Sequence, residues 1–299
     1  MNPEKFRGTT VALVTPFHKD GSINVETLKE LIDWQIEQGT DVILAGGTTG
    51  ESATLSHDEH HILMDITVEH VDGRVPVLCG TGSNSTEEAK SLTAYAKKAG
   101  ADAALVVTPY YNKPTQYGLY LHYKTIAEST DLPLILYNVP GRTACNLDAQ
   151  TTVKLAAMEN IMGIKEASGD LAQIMYILNN RPNKFLVLSG DDAITLALLA
   201  LGGDGVVSVV ANQAPALLHD MVHTALKGEF TRARDLFYRL LPLMELNFVE
   251  TNPSPVKTAL AIMGKIEDNF RLPLTPLTAE NAEKMQKVLV DLGLVKKKG

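Results

Sequence analysis

The chain has 299 residues, 45% of them hydrophobic, and sets 27 Lys and Arg against 35 Asp and Glu for a formal net charge of −8. That length and apolar fraction allow a sizeable core, in one large α/β domain or two smaller ones. The acidic balance argues against a general nucleic-acid binder.

The two cysteines, Cys79 and Cys145, form no CxxC pair, so neither a disulfide framework nor a cysteine-based zinc site is expected, and a reducing cytosol fits. Met1-Asn2-Pro3-Glu4-Lys5 carries no apolar h-region, so no signal peptide is expected. No apolar run approaches the roughly 20 residues of a membrane span. The expectation is a cytoplasmic globular protein with neither nucleic acid nor membrane as partner.

In chain order, short β-rich apolar runs alternate with longer segments of helical period. The strand candidates are Thr10–Thr15, Val42–Ala45, Pro76–Cys79, Ala103–Thr108, Pro133–Tyr137, Ile161–Lys165, Phe185–Ser189 and Val206–Val209. Several lack clean alternation, as parallel strands covered by helices do. The helical segments between and after them are Val25–Gln38, His57–Val71, Thr86–Ala99, Gln116–Ser129, Ala149–Met158, Leu171–Asn180, Ala193–Leu201 and Ala216–Leu226. Ser56 to Glu59 and Ser85 to Glu88 both read as capping boxes. Gly39 and Gly100 stand where a helix-terminating glycine belongs. Pro76 and Pro133 open strands, a position proline tolerates.

Eight β-then-α units predict a (β/α)8 TIM barrel. A doubly wound open sheet is the competing architecture, but no GxGxxG follows the first strand. The βα repeat spans residues 1–228. Residues 229–299 form a helical extension, with helices at Phe230–Leu246, Val256–Met263 and Ala279–Leu292. Ser254-Pro255 suits an N-cap followed by proline at the first helical position. Lys296-Lys297-Lys298-Gly299 reads as a solvated end.

Barrel enzymes place their chemistry at the C-terminal ends of the strands. Here those ends run into Gly46-Gly47-Thr48-Thr49-Gly50-Glu51-Ser52, Thr108-Pro109-Tyr110-Tyr111, Tyr137-Asn138, Lys165 and Ser189-Gly190-Asp191. Alternation along the sixth strand puts Gly163 and Lys165 on one face and Met162 and Ile164 on the other. A half-dry lysine can lose its proton and act as a nucleophilic amine; a strand-end lysine can equally pack its stem and reach water with its head. Tyr137 can carry protons or be a packed strand residue, and Arg142 can hold a carboxylate or be a loop charge. Their convergence on one mouth favours the reactive reading. The suggested chemistry is imine formation with a keto acid, which needs a proton relay but neither metal nor cofactor. Gly163 would leave room for the bound acid.

The segments Gly46-Gly47-Thr48-Thr49-Gly50-Glu51, Tyr137-Asn138-Val139-Pro140-Gly141-Arg142-Thr143 and Gly163-Ile164-Lys165-Glu166-Ala167-Ser168-Gly169 carry a resemblance. Through them the chain resembles, over nearly its whole length, the dihydrodipicolinate synthase / N-acetylneuraminate lyase family of pyruvate-dependent class I aldolases. Thr48-Thr49, Tyr110-Tyr111 and Arg142 favour the synthase branch. Gly141 departs from the serine that many synthases carry there.

The resemblance implies a lyase condensing pyruvate with L-aspartate 4-semialdehyde at the entry to diaminopimelate and lysine. It implies a Schiff base on Lys165, with Tyr137 shuttling protons through Thr48 and through Tyr111 of a neighbouring subunit in a homotetramer. Thr49, Val207 and Gly190 would line the pyruvate site, and Arg142 would hold the semialdehyde carboxylate. Ser52, Ala53, His57, His60, Asn84, Glu88 and Tyr110 match an allosteric lysine site. His57 and His60 fall one turn apart on a helix, and a solvated helix start is the plainer account of them. A metal held by His57, His60 and His61 lacks a companion acidic or cysteine motif. A sugar-acid lyase of the same fold and a non-catalytic barrel that binds a small acid are the rival functions.

Overall fold

The computed structural model describes residues 2–296, so Lys297, Lys298 and Gly299 of the expected solvated tail lie outside the described residues, while Lys296 is exposed. Eight parallel strands close into a barrel in sequence order. They are β1 (Gly8–Ala12), β2 (Val42–Ala45), β3 (Val77–Gly80), β4 (Ala103–Val107), β5 (Leu134–Asn138), β6 (Ile161–Glu166), β7 (Leu186–Ser189) and β8 (Gly205–Ser208). Closure comes from β1 against β8, with Gly8 opposite Gly205 and Val11 opposite Ser208. The open-sheet alternative is thereby excluded.

The helices are α1 (Val25–Glu37), α2 (His57–Val71), α3 (Thr86–Ala99), α4 (Gln116–Glu128), the single turn α5 (Pro140–Thr143), α6 (Ala149–Ala156), α7 (Leu171–Asn180), α8 (Thr195–Ala200) and α9 (Pro215–Leu226). Three more follow the barrel: α10 (Phe230–Leu246), α11 (Ser254–Ile262) and α12 (Ala279–Asp291). Strand side chains alternate between two cores. Val42 and Leu44 fill the barrel interior, whereas Ile43 and Ala45 join the layer under the helices. Both faces are dry, which is why the strands read as apolar runs rather than as alternating ones.

Several local expectations shift. The capping box at Ser56 is complete, with Ser56 and Glu59 bonded reciprocally. At Ser85 only half forms: its hydroxyl accepts from Glu88 N, but the Glu88 carboxylate turns to Ser83 and His57. Helix α11 starts at Ser254, so Pro253 takes the cap and Pro255 falls in the first turn. The segment expected as one helix from Ala193 begins as a 3₁₀ turn, Asp192–Ile194, capped by the Asp191 carboxylate. Strand β1 starts two residues earlier than expected because it pairs with β8 from Gly8, and it ends three residues earlier; beyond Ala12 the Val14 amide donates to Asn212 instead.

Strand β6 holds a bulge. Leu134 pairs with Ile161, but the next residue, Ile135, pairs with Gly163. Met162 is the extra residue and packs in the barrel interior, while Ile161 and Ile164 join the outer layer. The expectation that Met162 shares a face with Ile164 therefore fails. Gly163 and Lys165 remain on one face, opposite Ile135 and Tyr137 of β5.

Candidate active site

A cavity of about 550 Å³ opens at the C-terminal ends of the strands. Lys165, Tyr137, Thr48, Thr49, Arg142 and Gly190 all line it. Lys165 is 6% exposed, and burial, assisted by the Arg142 charge and opposed by Asp192, brings its amine down to about 7. Its Nζ lies 4.2 Å from the centre of the Tyr137 ring. Burial pushes the Tyr137 phenol up to about 12, with Arg142 and the Thr48 side chain acting in the opposite direction. An amine poised near neutrality beside a phenol that keeps its proton suits carbonyl addition followed by proton transfer.

The glycine that makes room for the lysine is Gly190, not Gly163. A Cβ on Gly190 would stand 2.7 Å from Ala167 Cβ and 3.0 Å from both Lys165 Cε and Cγ. A Cβ on Gly163 would instead meet the Leu186 carbonyl at 2.8 Å, so that glycine lets β7 pack against β6 below the mouth. Glu166, the next residue of β6, points away from the cavity and is fully buried. Its carboxylate accepts from Ser168 N at 2.6 Å and Asn138 Nδ2 at 3.1 Å, which ties the turn after Lys165 to the end of β5.

The glycine-rich turn after β2 is fixed from both sides. The Gly50 carbonyl accepts from Thr15 Oγ1 at 2.7 Å. Glu51 adopts φ +56° and forms an ion pair with Lys257 of α11, both side chains fully buried. Burial lowers the Lys257 ammonium's pKa, and Glu51 opposes that. Asn252, between α10 and α11, donates to Thr49 Oγ1 at 3.1 Å, and its carbonyl accepts from Arg142 Nη2 at 3.3 Å. Arg271 bonds Glu59 and the Thr54 carbonyl, and holds the Glu59 carboxyl at about 2. The C-terminal helices and their connections therefore position the loop that carries the threonines. Asn252, Lys257 and Arg271 lie some 200 residues from their partners, and no local pattern in the sequence marks them.

The remaining expected residues divide. Ser52, Ala53, His57, His60, Glu88 and Tyr110 line the other end of the same cavity. His57 Nε2 is 3.3 Å from Glu88 Oε1, and buried His60 Nε2 has no hydrogen-bond partner. Asn84 stands outside the lining and donates to the Tyr110 carbonyl at 3.2 Å. The three histidines go separate ways, for His61 stacks on Tyr95 at 3.6 Å. Val207 is buried in the barrel interior beneath the cavity, whose wall is formed nearby by Val209. Tyr111 has φ +75°, is 88% exposed and does not line this chain's cavity. Asp192 was missed by sequence reasoning: its Oδ2 accepts from Val209 N and Val210 N, each at 3.0 Å, and its Oδ1 is buried without a partner.

Comparison with known proteins points to one family. A 4-hydroxy-tetrahydrodipicolinate synthase of Thermodesulfovibrio yellowstonii is 53% identical over 291 residues, covering 97% of this chain and all of the relative. The structure of a chloride-inhibited dihydrodipicolinate synthase from Acinetobacter baumannii complexed with pyruvate is 47% identical and superposes with a TM-score of 0.95, covering 97% of this chain and 99% of that one. Dihydrodipicolinate synthase from Cyanidioschyzon merolae with lysine bound is 40% identical with a TM-score of 0.95 and the same coverage of each chain. Residues 5–292 match the Dihydrodipicolinate synthetase family, and with these identities over nearly full length the chain belongs to that family.

Proposed function

We propose that the chain catalyses the 4-hydroxy-tetrahydrodipicolinate synthase reaction, condensing pyruvate with L-aspartate 4-semialdehyde. The observation that carries this reading is the Lys165 amine, lowered to about 7 and opening on the cavity beside Tyr137. The neutral amine adds to the pyruvate ketone carbon, and loss of water gives an iminium. Deprotonation of the adjacent methyl gives an enamine, which attacks the aldehyde carbon of the second substrate. The amino group of that substrate then displaces Lys165 from the imine carbon and closes the ring. One pyruvate and one semialdehyde yield one cyclic product and one water, with the lysine regenerated.

Tyr137 is the proton carrier at this centre, with Thr48 next to it. Thr49, held by Asn252, receives the pyruvate carboxylate, Gly190 leaves space at the lysine stem, and Val207 supports the pocket from below. Arg142 at the rim takes the carboxylate of the semialdehyde, which favours this reaction over cleavage of a neutral sugar-acid tail. The exposed, left-handed Tyr111 fits a residue that completes the site of a neighbouring subunit in a homotetramer. The division between the barrel unit and the helical extension falls between residues 228 and 229. Two buried free cysteines suit the cytoplasm. Among the described residues no helix is long and apolar enough to cross a membrane.

The far end of the cavity, with Glu88, His57 and Tyr110, is the place for a lysine effector, whose ammonium the Glu88 carboxylate would hold. Borohydride treatment with pyruvate tests the central claim. A pyruvate-derived mass increment on Lys165, and condensation with the semialdehyde in preference to a panel of keto-sugar acids, are expected. An increment that persists in Lys165→Ala, or no turnover of the semialdehyde, would overturn it. Inhibition by lysine that Glu88→Ala abolishes is the expected result for the effector end.

A further inference from the structure

The end of the barrel opposite the cavity holds a second polar cluster that the reaction does not use. His219 and His223 stand one turn apart on α9 and stack at 4.0 Å between ring centres. Both face Asp41, which precedes β2: its Oδ2 is 2.8 Å from His223 Nε2 and 3.7 Å from His219 Nδ1. The three donor atoms lie within 4.8 Å of one another. We propose that Asp41, His219 and His223 bind a divalent transition metal ion, with zinc the best match to two imidazoles and one carboxylate.

The geometry supports this in four ways. Histidines at i and i+4 on a helix present both rings to one ion. Tetrahedral zinc with bonds of about 2.0–2.2 Å sets neighbouring donors about 3.4 Å apart, between the two spacings that Asp41 makes. His219 Nδ1 is buried and has no hydrogen-bond partner in the chain, so one donor is left unsatisfied. The Thr9 amide donates to the same Asp41 Oδ2 at 2.7 Å, which orients the carboxylate as an outer partner of a metal ligand does.

Space is kept by a glycine. Gly8, with φ +98°, would with a Cβ crowd Asp41 Oδ2 at 2.3 Å and His223 Nε2 at 3.0 Å. Partial exposure of all three side chains lets a hydrated ion enter and leaves a coordination position for water. The nitrogen-rich set suits zinc, nickel, cobalt or copper and not calcium or magnesium, which take oxygen ligands. Because the ligands come from the connection before β2 and from α9, with Thr9 of β1 behind them, the ion staples the closure of the barrel.

Titration of untagged, chelator-treated protein with ZnCl2 by calorimetry tests the site. One zinc per chain is expected, with a rise in unfolding midpoint of about 2–4 °C at saturating metal. His219→Gln and His223→Gln should each weaken binding by about tenfold or more, while the condensation rate, which depends on the far end of the barrel, stays unchanged. Absence of zinc binding in the wild type, or wild-type affinity in both variants, would overturn the proposal.

Discussion

Replacing Lys165 by methionine should abolish activity and at the same time stabilise the fold at neutral pH. The amine is almost wholly buried and drops from 10.5 to about 7, burial being the first cause. A lysine whose pKa is lower folded than unfolded opposes folding wherever the unfolded chain holds the extra proton. The full difference is about 5 kcal/mol at about 1.4 kcal/mol per pH unit. It is present below pH 7, is about 4 kcal/mol at pH 7, falls to about 1 kcal/mol at pH 9.5 and vanishes above 10.5. Methionine keeps most of the stem volume and removes the charge. Urea unfolding of Lys165→Met against wild type, at pH 7 and pH 9.5, should show a gain that shrinks as pH rises. No gain at pH 7, or a gain that grows with pH, would mean that the folded site stabilises a charged ammonium, and the account of the nucleophile would be wrong. Activity follows the same titration: the neutral amine is about half the population at pH 7 and about a tenth at pH 6, so the rate of borohydride-trappable adduct formation should fall with that fraction.

Three further outcomes follow from contacts around the mouth. Gly190→Ala places a methyl 2.7 Å from Ala167 Cβ and 3.0 Å from the Lys165 stem, so kcat should fall by about ten- to a hundredfold and stability by about 1–3 kcal/mol, read by steady-state kinetics and urea unfolding. Lys257→Met strands the buried Glu51 carboxylate and should cost about 3–5 kcal/mol, whereas Lys257→Met with Glu51→Leu should recover much of it; equal loss in both would show that the pair is not the cause. Asn252→Ala removes the donor to Thr49 Oγ1 and should raise the KM for pyruvate about fivefold, in keeping with one hydrogen bond of about 1 kcal/mol; an unchanged KM would detach Thr49 from pyruvate binding.

What the sequence determined by itself is what has a short period. The βα repeat, the helices α2, α3, α7 and α10 to the residue, and the face of β6 that carries Lys165 follow from local patterning. Alternation of side chains along a strand needs no knowledge of partners, so a lysine at a strand end can be placed on its face. The same rule failed at Met162 because a bulge is a property of two strands together, arising where Ile135 takes Gly163 as partner instead of its neighbour. Alternation put Gly163 on the right face but not beside the right neighbour, since what a glycine makes room for is decided by the element across from it. That element is Leu186 at Gly163, and the Lys165 stem and Ala167 at Gly190.

Only the tertiary structure brought Asn252 to Thr49 and Lys257 to Glu51, or gathered Asp41, His219 and His223 at the other end of the barrel. Such contacts join residues far apart in the chain and leave no periodic trace. The same holds for the lysine's protonation. A side chain's face can be read from the sequence, but the lowered amine at Lys165 comes from the dry packing that encloses it, and burial exists only once the barrel has closed.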